Sequence, residues 1–401
     1  MPRPTTRPSW IGSRREPSDA QKLDGFRANQ TPPAEWLNWV LGKPSDWLDY
    51  IDDWIQTVAT PEADALEQAL EMQSVFPARE VAASTVTMQI NACAAAVNAA
   101  GALLHAVGVG ASGIIIRYDA VRTETTHPTA AAALTLNDVI YANGQYVAVG
   151  ANGSVQTSPD GITWTARGAI NVAYQLQSIA YGGGRYVAVA VDGGNSGWSF
   201  DSADAITWSA AVSWGGGFLT RIVWAGGTHN KFFAFGATFV KSSPATPVAW
   251  TTVHNASGNS RLFDAVWHPT LGFVSLSMPT SPAGQLRISA SVNGTTWTVA
   301  NSTTNYVTST SAFALMPFNK SIAVCYSVSP TSYLTAVMFM LDFSQAPQPT
   351  TLPRVLPAIY AGAVGRVKLA QSTWFGAFNI SATQARIVCG QPVETLRGLL
   401  P

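Results

Sequence analysis

Charge is what this 401-residue chain lacks most: Asp, Glu, Lys and Arg make up 11% of it, where an ordinary globular domain carries about 25%. Apolar residues stand at 47%, so disorder through excess charge is excluded. Basic and acidic side chains balance at 23 each, which leaves no positive field to hold a phosphate backbone, and no nucleic-acid partner is expected. The three cysteines, Cys93, Cys325 and Cys389, are too few and too scattered for a disulfide framework or a close-spaced zinc site. The five histidines have no metal-ligand spacing, no phosphate-cradling glycine motif precedes a helix, and no cofactor is expected. Pro2, Pro4 and Pro8 with no apolar run behind them do not form a signal peptide, so synthesis and retention in a cytoplasm are expected. The longest uncharged stretch, Ala92 to Ile116, has the length of a bilayer span. Asn98, His105 and four glycines interrupt it and no basic cluster flanks it, so no membrane insertion is expected.

The balanced charge hides two differently built parts. Residues 1–80 hold 13 acidic and 8 basic side chains, and the remainder is net basic. The first 31 residues have the composition of an extended arm. Pro33-Ala34-Glu35-Trp36-Leu37-Asn38-Trp39 and Trp47-Leu48-Asp49-Tyr50-Ile51-Asp52-Asp53-Trp54-Ile55 then read as two short helices. In the second, Trp47, Tyr50, Ile51, Trp54 and Ile55 form an apolar stripe that has to bury against something. A further helix is expected from Glu62 to about Phe76. Beyond Pro77, Ile90, Val97 and Leu104 interleave with Val86, Cys93, Ala100 and Val107 at heptad spacing, the pattern of a short coiled coil, with a trimer favoured by its β-branched residues.

From about residue 129 the sequence repeats itself. The clearest unit runs Asp138-Val139-Ile140-Tyr141, a turn at Asn143-Gly144, Tyr146 to Gly150, a turn at Asn152-Gly153, Val155 to Ser158, and Ile162-Thr163-Trp164-Thr165. Asn-Gly and Asp-Gly supply the positive φ angles of tight hairpins. The second strand recurs at Val147, Val187, Phe233, Val274, Ile322 and Val367, a period near 44. Aromatics recur on the first strand (Tyr141, Tyr181, Trp224, Trp267, Tyr360) and the fourth (Trp164, Trp208, Trp250, Trp297). Four strands per repeat predict a mainly β chain with a C-terminal β-propeller of about six four-stranded blades, five or seven remaining open. The expected division is an attachment arm and helix pair over 1–60, a helical, coiled-coil region over 61–128, and the propeller over 129–401.

Ser158-Pro159-Asp160-Gly161-Ile162-Thr163-Trp164, Ser202-Ala203-Asp204-Ala205-Ile206-Thr207-Trp208 and Ser291-Val292-Asn293-Gly294-Thr295-Thr296-Trp297 resemble the Asp-box of sialidase-type propellers, one residue shorter than its usual form. Ser158, Asp160, Trp164, Ser202, Asp204, Trp208, Ser291, Asn293 and Trp297 are therefore expected to brace hairpins, not to catalyse. The sialidase resemblance implies an arginine triad, a Tyr/Glu nucleophile and an acid/base Asp, yet no Glu lies between residues 129 and 390. Seven aspartates there leave a two-carboxylate glycosidase as an alternative. Three residues before the first-strand aromatic stand Asp138, Ser178, Arg221 and Asp264, which are expected to cluster at the channel mouth as a ligand site or as mutually neutralising charges.

The order of arm, tryptophan-rich helix pair, coiled coil and terminal propeller resembles tail-fibre or baseplate receptor-binding proteins of tailed bacteriophages. That resemblance rests on about 60 residues around Trp36, Trp39, Trp47, Tyr50 and Trp54. It implies location in the virion, attachment to other tail or baseplate proteins through the N-terminus, a host-surface glycan or protein as partner of the propeller, and a homotrimer. A polysaccharide-degrading tailspike and a purely structural collar or baseplate subunit are the alternatives.

Overall fold

The computed structural model describes residues 79–80, residues 90–301 apart from short stretches, and the strands between 312 and 389. All of them fall within one compact unit, Glu71–Pro401. The expected attachment residues Trp36, Trp39, Trp47, Tyr50 and Trp54, and the helix expected over 62–76, lie outside the described residues.

The described strands form seven four-stranded antiparallel sheets. The first comprises Ile90–Val97, Leu103–Gly110, Ile115–Asp119 and Glu124–His127. The next four open on Leu136–Ala142, Gln175–Gly182, Leu219–Ala225 and Asn259–His268. The sixth opens on Ala312–Pro317 and the seventh on Lys368–Ala370. Each opening strand lies beside that of the next sheet, and the seventh lies beside the first. The sheets therefore close into a β-propeller with the opening strands innermost. The seventh blade takes its outermost strand from upstream: Arg79–Glu80 pairs with Cys389 and Val388, so the two ends of the ring are hydrogen-bonded together.

Two expectations are corrected. The blade count is seven, not six, and five of these, from Ile90 to Asn301, are described with most of their side chains. The extra blade is the segment expected to be a coiled coil: Cys93 pairs with Gly108 and Ala94 with Val107 across a hairpin. Ala92, Cys93, Ala94, Val107 and Val109 are all buried. A blade is covered on both faces by its neighbours, so its inner strands are apolar throughout, and an unbroken apolar run satisfies a heptad as readily as an alternation. The seventh blade is also shifted: Val367-Lys368-Leu369, expected on a second strand, overlaps the opening strand, and Thr373–Ser381 is the second.

The turns follow the sequence closely. Asn143 and Gly144 both take positive φ, 50° and 76°, as a two-residue hairpin of this hand requires. Packing between blades is aromatic and aliphatic: Val107, Val109 and Ile115 of the first blade meet Leu136, Val139, Tyr146 and Trp164 of the second. Phenols tie neighbours together, Tyr146 Oη donating to the His105 carbonyl at 2.9 Å and Tyr186 Oη to that of Ala142 at 3.0 Å. His268 is buried, its Nδ1 accepting from the Thr270 and Leu271 amides.

The three Ser-x-Asp/Asn hairpins share one scheme of side-chain oxygens accepting from the turn amides. Ser158 Oγ accepts from Gly161 N at 2.8 Å, and Asp160 Oδ1 accepts from the amides of Ile162 and Thr163 at 2.8 and 3.0 Å. Trp164 Nε1 closes the loop on the Gly161 carbonyl at 3.0 Å. Ser291, Asn293, Gly294 and Trp297 repeat it, with the amide oxygen of Asn293 accepting from Thr295 and Thr296. A neutral oxygen serves as well as a carboxylate, which is what a turn device requires. In the middle hairpin Asp204 holds Ile206 and Thr207 and Ser202 holds Ala205, but buried Trp208 Nε1 has no partner among the described residues.

Gly294 sits at φ +74°, and a Cβ there would lie 2.4 Å from Phe233 of the preceding blade. Gly294→Ala is expected to lower stability by about 2 kcal/mol, combining left-handed backbone strain with overpacking. Urea denaturation checks this; a loss below about 0.5 kcal/mol, the scatter of an innocuous surface change, would show that the blades separate easily there.

Candidate functional site

The inner strands carry the same irregularity in five successive blades: the pairing register slips between Ile90 and Ala92, Leu136 and Asp138, Leu176 and Ser178, Leu219 and Arg221, and Leu262 and Asp264. Such a bulge re-aims the side chain that follows it. Here it brings together Asp138, Ser178, Arg221 and Asp264, the four residues that the repeat register singles out.

All four are buried. Ser178 Oγ donates to Asp138 Oδ2 at 2.7 Å and accepts from Ile222 N at 3.3 Å. Asp138 also accepts from Val139 N at 3.0 Å and Ile179 N at 3.1 Å. Asp264 accepts from Ala265 N and Leu315 N, both at 2.9 Å. Between the two carboxylates lies Arg221, its Nη1 3.2 Å from Asp138 Oδ2 and its Nε 3.2 Å from Asp264 Oδ1. Asp138, Ser178 and Asp264 each reach an inner-strand amide of the following blade. The quartet thus stitches blades together along the channel wall, and it is not the exposed cluster at the channel mouth that the sequence suggested. The mutual neutralisation of Arg221 and Asp264 is realised, with Asp138 as a second anion.

Of the quartet only Arg221 reaches the mouth, which is otherwise lined by other residues. A cavity of about 360 Å³ is walled by the inner strands of the second to sixth blades. Around it stand Tyr141, Tyr181, Trp224 and Trp267, one per blade and each half-exposed, with Arg221 among the lining. Three of them pack on a ring of the adjacent strand: Tyr141 lies 4.8 Å from Tyr146, Tyr181 4.6 Å from Tyr186, and Trp224 4.7 Å from Phe232. Trp224 also lies flat on Gly182 of the preceding blade, where a Cβ would come within 2.0 Å of the indole. The sequence shows these aromatics as a repeat on the first strand. Their place at the mouth follows from strand rise, since a residue three positions earlier lies about 10 Å deeper.

The remaining described aspartates are engaged in structure. Burial works against ionisation of Asp160, yet the hydrogen bonds from Thr163, Ile162 and Ser158 prevail and hold its carboxyl below the usual range. Asp204 is lowered by the amides of Thr207 and Ile206. Asp192, lowered by Ser196 and Trp198, accepts from Gly194 N, Ser196 N and Trp198 Nε1. Asp201 pairs with Arg185. The side chain of Asp342 lies outside the described residues. Among the described residues no three His, Cys, Asp or Glu side chains group as metal ligands, and no helix is long and apolar enough to cross a membrane.

No family model and no curated protein matches the chain. Solved structures do. A structure of YCF48 bound to D1 peptide is 14% identical with a TM-score of 0.53, covering 78% of this chain and 94% of that one. Virginiamycin B lyase from Staphylococcus aureus, solved in inactive form with quinupristin, is 10% identical with a TM-score of 0.56, covering 78% and 98%. The mitotic checkpoint complex contributes a chain at 11% identity and a TM-score of 0.55, covering 78% and 94%. What they share with this chain is the propeller fold. Identities this low carry nothing further, since propellers of one shape serve unrelated ends.

Proposed function

We propose that this protein binds a host-surface ligand through its propeller and does not turn it over, as a receptor-binding subunit of a tailed-phage virion. One observation carries the non-catalytic half. Every aspartate of the propeller with a described side chain is engaged in structure: Asp138 and Asp264 with Arg221 and backbone amides, Asp160, Asp192 and Asp204 within their own loops, Asp201 with Arg185. A two-carboxylate glycosidase needs an acid and a base facing one cleft across a separation of roughly 5–9.5 Å. These carboxylates serve the fold instead, so a polysaccharide-degrading tailspike has less support.

The virion half rests on the sequence resemblance around Trp36, Trp39, Trp47, Tyr50 and Trp54. In this reading the N-terminal 60 residues attach the chain to other tail or baseplate proteins. The homotrimer loses its basis, because the heptad that suggested it is a pair of strands, and no oligomeric state is proposed. The test uses the purified full-length chain, fluorescently labelled, on intact host bacteria. Saturable binding that blocks adsorption of virions carrying the same protein is expected. Absence of both binding and competition, with the chain folded, points to the purely structural subunit.

A further inference from the structure

We propose that the aromatic-walled mouth of the channel is a binding site for one neutral, polyhydroxylated sugar ring. The inference deepens the reading above, since it names the chemistry through which a host-surface ligand is held.

The cavity of about 360 Å³ lies at the small end of pockets that hold small molecules, about 300–1,000 Å³. It has room for one ring. Its wall is amphipathic in a particular way. Tyr141, Tyr181, Trp224 and Trp267 each offer an aromatic face, and each ends in a hydroxyl or indole N–H that has no hydrogen-bond partner among the described residues. None of these polar atoms is among the buried unsatisfied groups. A side chain with an apolar body and a polar tip serves a ligand that is apolar on its faces and polar on its rim. A sugar ring, with C–H faces and peripheral hydroxyls, has that form.

The deep end selects among such ligands. Arg221 is 6% exposed and lines the cavity. Its hydrogen bonds run through Nε and Nη1 to Asp264, Asp138, Ser178 and the Ala265 carbonyl. The Nη2 group has no partner among the described residues and remains a donor for an acceptor that enters the channel. A carboxylate is not favoured there, because two carboxylates, Asp138 and Asp264, already hold that guanidinium. A cation would meet the guanidinium first. A hydroxyl or acetamido oxygen satisfies Nη2 at no charge cost. The wall is also ordered before a ligand arrives: Trp224 is clamped between Phe232 and Gly182, which limits the ordering cost of binding.

The full-length protein is titrated with N-acetylglucosamine and galactose as neutral probes, N-acetylneuraminic acid as the anionic probe, tetramethylammonium as the cationic probe and N-acetyl-leucinamide as the peptide probe. Tryptophan fluorescence and saturation-transfer NMR are the readouts. A neutral sugar is expected to bind most tightly, and Trp224→Ala and Trp267→Ala to weaken it at least about tenfold in protein that still melts cooperatively. Trp224→Phe keeps an aromatic face but loses the indole N–H and part of the ring area; it is expected to weaken binding about threefold, and it serves if the alanine variant does not fold. The proposal is overturned if neither sugar binds up to about 100 mM, if binding survives both alanine changes, or if the anion, the cation or the leucinamide binds more tightly. Applied to cells, the same variants separate the two ideas. Adhesion by wild type and variants alike removes the channel site and leaves the adhesion reading standing; sugar binding in the channel without adhesion does the reverse.

Discussion

A fragment starting at residue 120 is expected not to fold. It lacks three strands of the first blade, Ile90–Val97, Leu103–Gly110 and Ile115–Asp119, and the Arg79–Glu80 strand that completes the seventh. Leu136, Val139, Tyr146 and Trp164 then lose the Val107, Val109 and Ile115 side chains that cover them, and Tyr146 Oη loses the His105 carbonyl. Uncovering large apolar side chains costs about 1.5–3 kcal/mol each. Four of them alone amount to much of the roughly 5–15 kcal/mol that holds a domain folded. Residues 71–401 keep the whole ring and are expected to melt in one cooperative transition. Had 61–128 been an independent coiled coil, the shorter fragment would have been the folded one. Circular dichroism melts and size-exclusion profiles of the two decide it. A monomeric 120–401 fragment that melts within a few degrees of full length would show that the first blade is dispensable to the ring.

The first blade was nevertheless written in the sequence. Val107-Gly108-Val109-Gly110-Ala111-Ser112-Gly113 parallels Val147-Ala148-Val149-Gly150-Ala151-Asn152-Gly153 forty residues later. Ser112 and Asn152 take nearly the same left-handed φ, 51° and 53°. The match was hidden because the alanine-rich strand before it has no aromatic or polar alternation to set a period, and its burial on both faces permits small residues throughout. Where Asn143-Gly144 and Gly183-Gly184 force hairpins, strand limits followed directly from composition. The inner-strand quartet was legible as a set, since equivalent positions of a repeat must converge on the axis. Its depth was not legible. Only the accumulated rise along the strand places Asp138 inside and Tyr141 at the rim, and only the bulge at Asn137 decides which way the carboxylate turns. The ends of the ring, Arg79–Glu80 against Cys389 and Val388, carry two pairs and no side-chain pattern that single-sequence reading could detect.

Arg221→Met is expected to be the most damaging single substitution in the channel, lowering stability by about 3–5 kcal/mol, the usual consequence of leaving a buried carboxylate without its counter-charge. Two carboxylates are affected here, Asp138 and Asp264, which are 0% and 2% exposed. Each retains its backbone donors, Ile179 and Val139 for the first, Leu315 and Ala265 for the second. Both lose the Arg221 guanidinium. Methionine fills much of the arginine stem's volume, so the loss reports charge more than cavity. The cause is separable by a second substitution. Asp138→Asn removes one of the two charges but keeps an oxygen for only one of Val139 N and Ile179 N, which bond to separate carboxylate oxygens, and Asp264→Asn does the same with Ala265 N and Leu315 N. If the damage is electrostatic, the triple variant is more stable than Arg221→Met even though each asparagine turns its NH2 toward one backbone donor, because amides tolerate burial without a counter-ion while carboxylates do not. If it arises from lost packing, the asparagine changes add to the damage instead. Guanidinium denaturation of wild type, Arg221→Met, the double asparagine variant and the triple variant gives the coupling energy directly. A loss under about 1 kcal/mol for Arg221→Met would mean that the quartet is as weakly coupled as an exposed surface pair, and that the blades are held around the channel by their apolar faces alone.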